Sequence, residues 1–168
     1  KLEKNTKSNV DKKLSDKINL IKDELKKINI KPNYYNDLNL TENLRNLSKQ
    51  FDKIKIKNII NDIDKNIIKD KKIRNFQLRY QVISDLPSKE LRNIVDQGKK
   101  EIKDGILIVF STFENKVGVS VGVTQKLTDK YNAVELVKEA AEILGGKGGG
   151  GRKDFAQAGG VKKDKIEE

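Results

Sequence analysis

Apolar residues recur at helical spacing through the first third of the chain. Val10, Leu14, Ile18, Ile21, Leu25 and Ile28 are separated by four, four, three, four and three positions, the stripe of an amphipathic helix with one buried face. The segment "IKPNYYNDLNLT" ends that helix, because Pro32 has no backbone donor and disfavours a helical residue before it. Thr41 has the N-cap chemistry to start a second helix, with Leu44, Leu47, Phe51 and Ile54 as its stripe. Beyond Lys55 the apolar positions change face: Ile56, Ile60, Ile63 and Ile67 lie about 180–240° around the helix from Ile54, at ~100° per residue. Either the helix kinks near Lys55, or it is sandwiched with one face on the first helix and the other on a second surface. Two helices with narrow seams and lysine-rich outer faces read as a helical hairpin, with a coiled-coil seam between two copies as the sharper alternative.

After Arg74 the period changes. "NFQLRYQVIS" (75–84) alternates and is rich in aromatic and β-branched residues, which predicts a strand. Pro87 and Ser88 open a helix with Ser88 as N-cap and Leu91, Ile94, Val95 and Ile102 inward. "GILIVFSTF" (105–113) is a continuous apolar run, the pattern of a strand buried on both faces. Glu114, Asn115 and Lys116 turn it into "VGVSVGVT" (117–124), where four valines line one face and Gly118 and Gly122 leave the other bare for a close helix–sheet contact. Asn132 caps a last helix, with Glu135 completing a capping-box pattern. Its buried stripe is Ala133, Leu136, Val137, Ala140 and Leu144, and Gly145 and Gly146 supply a left-handed C-terminal cap. The chain as a whole reads as α+β. An N-terminal α-helical hairpin or coiled-coil subdomain over 1–74 is followed by a small α/β globular subdomain over 75–168, with a mixed β-sheet and a glycine-rich loop at 145–160.

Composition removes whole classes of chemistry. The 168 residues include no cysteine and no histidine, which excludes thiolate and imidazole metal sites, Cys or Ser-His nucleophile systems, and disulfides. The apolar runs are too short to span a bilayer and no signal-peptide pattern opens the chain, so a cytoplasmic protein with no membrane partner is expected. The chain begins at Lys1 and has no methionine, so a piece of a longer protein is expected. The net charge of +11 points to an anionic partner. Lysine outnumbers arginine 31 to 5 beside 19 isoleucines and 16 asparagines, so A/T-rich codon bias on solvated helix faces accounts equally well for much of it. The charge is also uneven, at +9 over 1–74 and +2 over 75–168.

The glycine-rich half therefore owes its candidate chemistry to local features. In "GGKGGGGRKDFAQAGG" (145–160), eight of sixteen residues are glycine, out of twelve in the chain. The formal G-x-G-x-x-G at Gly146, Gly148 and Gly151 follows a helix rather than a strand, so it is no dinucleotide motif, and Lys147 lacks the Ser or Thr that a phosphate-binding P-loop requires. A flexible linker would not run on into Phe155, Ala156 and Ala158, and Phe155 is expected to anchor the segment in a core. Two readings remain. Exposed N–H groups of the glycines form an anion-binding concavity, with Arg152 forking onto phosphate and Gln157 offering a donor and an acceptor; or the glycines are a structural turn.

The run "VELVKEAAEILGGKGGGGRKDFAQAGG" strongly resembles the end of bacterial alanyl-tRNA synthetases, the C-Ala domain of the DHHA1 type that is shared with DHH phosphodiesterases. "SKELRNIVDQGKKEI" and "VGVSVGVTQKLTDKYNAVELVKEAAEIL" resemble the same family in order and spacing, so the likeness covers roughly 75–165, and 1–74 matches the preceding helical subdomain only in position and character. The resemblance implies a noncatalytic tRNA-binding domain that packs on the outer corner (elbow) of alanine tRNA, where the D- and T-loops meet. It also implies that this domain links aminoacylation with editing among the other domains of the synthetase, and that the helical part can pair subunits in a homodimer. The nucleic-acid-binding candidates it implies are Lys147, Gly148, Gly149, Gly150, Gly151, Arg152, Lys153, Asp154, Gln157, Gly159 and Gly160. ATP, Mg and Zn would belong to the parent ligase, with no cofactor, catalytic residue or metal in this piece. DHH phosphodiesterases carry a histidine directly after the glycines, where this chain has Arg152. The substrate-binding half of such an enzyme, or a purely structural dimerisation module, are the alternatives.

Overall fold

The computed structural model describes residues 2–32, 39–62 and 64–167, with side chains from Asn9 onward. Ile63 and the 33–38 part of the expected break lie outside the described residues. The chain forms two compact units, 1–58 and 59–168. No described helix is long and apolar enough to cross a membrane.

In the first unit, α1 (Leu2–Lys27) and α2 (from Leu40) bury a cluster of Ile18, Leu25 and Leu47, with Ile21, Ile30, Leu44, Phe51 and Ile54 packed against it. The sequence stripe is thus used only in part, since Val10 and Ile28 remain 54% and 42% exposed. The cap of α2 is Asn39 rather than Thr41: Asn39 Oδ1 accepts the Glu42 N–H at 3.0 Å, and its amide donates to the Glu42 carboxylate at 3.2 Å. This is a reciprocal capping pair shifted by two residues from the expected one. α2 ends at Asn61, where the Asn66 side chain donates to the Ile60 carbonyl at 2.7 Å and satisfies a helix end. The helix expected to continue through Ile67 is instead a strand, β1 (Asn66–Ile73).

The second unit is a six-stranded mixed sheet in the order β1-β2-β3-β4-β6-β5. β1 pairs antiparallel with β2 (Phe76–Ser84) across all eight of its residues, so the boundary expected after Arg74 falls inside this hairpin. The Arg79 side chain on β2 grips Asp70 of β1 at 2.8 and 3.0 Å and also pairs with Glu101, which locks the strand pair to the next helix. Those contacts hold the Asp70 carboxyl below its ordinary range, the Arg79 hydrogen bond first. β2 runs through a 3₁₀ turn at Ser88–Glu90 and α3 (Leu91–Glu101) to the parallel strand β3 (Gly105–Phe113). Pro87, not the expected Ser88, holds the cap position of that turn, with no side-chain cap bond. β3 and β4 (Lys116–Val123) form the expected hairpin.

The sheet is covered on both faces. α4 (Ala133–Ile143) packs Ala133, Val137 and Ala141 on the four β4 valines, Ala156 and Ala158. α3 lies on the opposite face, where a Cβ at Gly122 would strike Val95 and one at Gly118 would strike the Ser88 and Ser111 hydroxyls. The bare glycines of β4 thus permit close helix contact. Asn132 caps α4 by accepting the Val134 N–H at 3.0 Å, with its amide 3.2 Å from Glu135. Gly145, at φ +71°, closes the other end in the left-handed conformation that glycine adopts without strain.

Candidate nucleic-acid interface

Residues 149–160 form a β-hairpin rather than a loop, and only 145–148 lead into it without strand structure. Glycine disfavours strands by its unfolded-state freedom and missing side chain, which is why the pattern concealed this. Strand pairing supplies what propensity lacks. β6 (Phe155–Gly160) adds antiparallel to β4, and β5 (Gly149–Arg152) adds to β6 as an edge strand. The turn Lys153-Asp154 is tied down on two sides: the Lys153 carbonyl accepts the Ala133 N–H at 2.9 Å, and the Asp154 carbonyl accepts the Val123 N–H at 3.0 Å.

The register sorts the eleven candidates by face. Gly149 pairs with Ala158 and Gly151 with Ala156, on the α4 side; Gly150 pairs with Gln157 and Arg152 with Phe155, on the α3 side. A Cβ at Gly149 would lie 2.6 Å from both the Ala158 methyl and the Gln157 carbonyl, and 3.1 Å from Val137. One at Gly151 would collide with the Phe155 carbonyl, and one at Gly160 with the Leu144 backbone. These three glycines serve packing. Gly150 and Gly148 face open space, and at Gly159 the nearest atom to a Cβ is 3.5 Å away. Gly148 needs glycine for its φ of +107°. Gly150 and Gly159 are required by neither sterics nor backbone conformation.

The charged candidates stand on the exposed turn. Lys147 and Lys153 are exposed. Arg152, with 69% of its side chain exposed, donates to Asp154 from Nε at 3.0 Å and Nη2 at 3.4 Å. Asp154 also receives the Lys99 ammonium from α3 at 3.2 Å, and the same ammonium donates to the Asp154 carbonyl at 3.1 Å. The Arg152 hydrogen bond, followed by those of Lys99, holds the Asp154 carboxyl down at about 2 against the opposing cost of burial. Asp154 thus braces two cations, Arg152 and Lys99. The Gln157 amide nitrogen donates one of its two hydrogens to the Ser88 carbonyl at 2.9 Å. Phe155 is half-buried rather than a core anchor, and Ala156 and Ala158 do the anchoring.

The sequence reading missed Arg92 and Lys99. The Arg92 guanidinium lies over the Phe155 ring, its central carbon 5.4 Å from the ring centroid. Arg92 is an exposed position of α3, whereas Lys99 follows the buried Val95 by one turn and lies on the sheet side with its side chain 19% exposed, and the pattern contains no signal that this helix crosses the sheet beside the hairpin. Among the described residues no cluster of acidic side chains is arranged to hold a metal ion.

The comparisons with known proteins fall on this same half of the chain. The alanine–tRNA ligase of Hyphomonas neptunium is 47% identical over 96 residues, covering 57% of this chain and 11% of that protein. The alanine–tRNA ligase of Bradyrhizobium diazoefficiens is 44% identical over 99 residues, covering 58% and 11%. The chain thus spans about a tenth of the length of these relatives. Among solved structures, the C-Ala domain from Aquifex aeolicus alanyl-tRNA synthetase superposes with a TM-score of 0.54 at 36% identity, over 58% of this chain and 86% of that one. The model of the DHHA1 domain matches residues 75–168, more than half the sequence and the entire glycine hairpin, and on that ground the chain belongs to the DHHA1 domain family.

Proposed function

We propose that this chain is the noncatalytic tRNA-binding end of an alanine–tRNA ligase. Its glycine hairpin packs on the outer corner of the tRNA and keeps that tRNA within reach of the ligase's aminoacylation and editing domains. The observation that carries the reading is Gly150: an edge-strand glycine that the fold does not need, on the open face of a hairpin whose tip presents Arg152 and Lys153. An absent side chain there serves the approach of another molecule's backbone. The likeness to the C-Ala domain and to alanine–tRNA ligases supports tRNA as that molecule.

Contact runs through Lys147, Gly148, Gly150, Arg152, Lys153 and Gly159 on the exposed side, with Gly149, Gly151 and Gly160 shaping the hairpin and Asp154 positioning Arg152. Helical RNA hides its base edges in a narrow major groove, so phosphate, ribose and shape dominate. Arg152 retains Nη1 for a phosphate oxygen while Nε and Nη2 stay on Asp154. The activity of the whole protein, its ATP, Mg and Zn, the pairing of subunits through α1 and α2, and a cytoplasmic setting belong to the same proposal. The test is tRNA affinity of the 168-residue chain against Arg152→Ala. A loss of about 1–3 kcal/mol is expected, the range for a charge-assisted hydrogen bond. Unchanged affinity would overturn the site.

A further inference from the structure

On the α3 side of the sheet, β6 presents Phe155, Gln157 and Gly159, and β5 presents Arg152 and Gly150. Two features of this surface are poor fits for phosphate alone. Each guanidinium already faces a carboxylate: Arg152 faces Asp154, and Arg92 faces Asp96 at 3.8 Å, both of that pair more than half exposed. Asp96 also acts electrostatically on Arg152, so much of the local positive charge is neutralised in place. The geometry left over is planar. A guanidinium hydrogen-bonds in its plane and keeps its faces for stacking. The Arg92 guanidinium carbon lies 5.4 Å from the Phe155 ring centroid, within cation–π range, and the side chain remains exposed.

Gln157 adds a directional group. Its nitrogen must point to the Ser88 carbonyl, because a carbonyl oxygen only accepts. That fixes which end of the amide is which, and its Oε1, with no hydrogen-bond partner among the described residues, is a free acceptor beside Phe155. A stacking plane, an acceptor next to it, and bare backbone at Gly150 and Gly159 are together the complement of a flat ring with N–H donors on its edge.

We propose that Arg92, seated on Phe155, and Gln157 form a nucleobase site. An unstacked base lies on the outer face of the Arg92 guanidinium and donates an N–H to Gln157 Oε1. This rests on the tRNA reading above and adds base contact to it. The assignment predicts a base-dependent share of affinity that charge alone does not supply.

The test uses the full 168-residue chain and two probes of about 12 nucleotides, within the range of single-strand site sizes. One is a fluorescein-labelled single-stranded RNA, the other the same backbone with abasic sites, and both are followed by anisotropy. The wild-type chain is expected to bind the base-bearing RNA about tenfold tighter than the abasic one. Arg92→Lys, which keeps the charge, and Phe155→Leu, which removes the seat, should bring that ratio near one while leaving abasic affinity unchanged. Thermal melting checks that both remain folded. A wild-type ratio of one, or a ratio that Arg92→Lys preserves, overturns the base site. In that case tRNA binding that still responds to Arg152→Ala leaves the tRNA reading standing. If the wild-type chain binds neither RNA probe nor tRNA, both readings fall.

Discussion

Two adjacent glycines separate architecture from recognition. Gly149 and Gly150 are neighbours on the edge strand, yet their missing side chains point to opposite faces of the sheet. Gly149→Val places a branched Cβ 2.6 Å from the Ala158 methyl and the Gln157 carbonyl and 3.1 Å from Val137. α4 and β6 must then separate, an overpacking cost of ~1–3 kcal/mol. In a domain near 100 residues each kcal/mol moves the melting temperature by roughly 4–8 °C, so a fall of about 5–20 °C is expected. Gly150→Val meets no atom within 4 Å and needs no unusual backbone angle. A β-branched residue in a strand removes glycine's unfolded-state entropy, so stability should hold or rise by ~0.5 kcal/mol. The same side chain stands on the surface that the RNA would approach and should weaken tRNA binding at least about tenfold, ~1.4 kcal/mol. Differential scanning fluorimetry and a tRNA titration well below both melting points give the two readouts. The expected result is crossed: Gly149→Val melts low but binds, and Gly150→Val melts normally but does not. Wild-type affinity in Gly150→Val would refute the reasoning, because an edge-strand glycine that neither packing nor backbone conformation explains would then have no role in binding either.

Asp154→Asn should release Arg152 and Lys99, costing about 1–2 kcal/mol of stability at pH 5–7 while steepening the salt dependence of tRNA binding by about one phosphate contact, ~0.7–0.9 in slope. Because the Asp154 carboxyl is held down at about 2, below its unfolded value, its contribution is present above pH ~4 and lost as pH falls toward 2; urea midpoints of wild type and variant should converge over that window. For the wild-type chain, log affinity for tRNA against log salt should have a slope of about −3 to −4, and a flat plot would contradict a phosphate-led interface. Asn132→Ala removes the cap seen at Val134 and should cost ~0.5–2 kcal/mol in chemical denaturation, without effect on tRNA affinity at temperatures where the variant is folded. The chain alone should show no alanine-dependent ATP–pyrophosphate exchange, and exchange above a no-enzyme control would refute its noncatalytic role.

Period and cap chemistry carried the sequence reading where one element decides its own structure. β2, β3, β4 and α4 were legible because alternation, a continuous apolar run and an Asn-Glu cap are local signals, and the bare face at Gly118 and Gly122 already implied a close helix–sheet contact there. The resemblance carried by 134–160 located the family. β1 was not legible. Isoleucines at 56, 60, 63 and 67 fit a helical face, and only the ladder to β2, the Arg79–Asp70 grip and the Asn66 cap on Ile60 turn the chain out of α2. The hairpin β5–β6 was hidden for the complementary reason: glycine carries no strand signal, so its conformation comes wholly from the partners that supply its hydrogen bonds. Which glycine packs and which is bare depends on register, because a shift of one residue exchanges the faces. Arg92 reaches Phe155 across 63 positions of chain, a contact set by the crossing of α3 over the sheet. Local propensity is written residue by residue, whereas facing, pairing and the sharing of Asp154 between Arg152 and Lys99 exist only once distant segments meet.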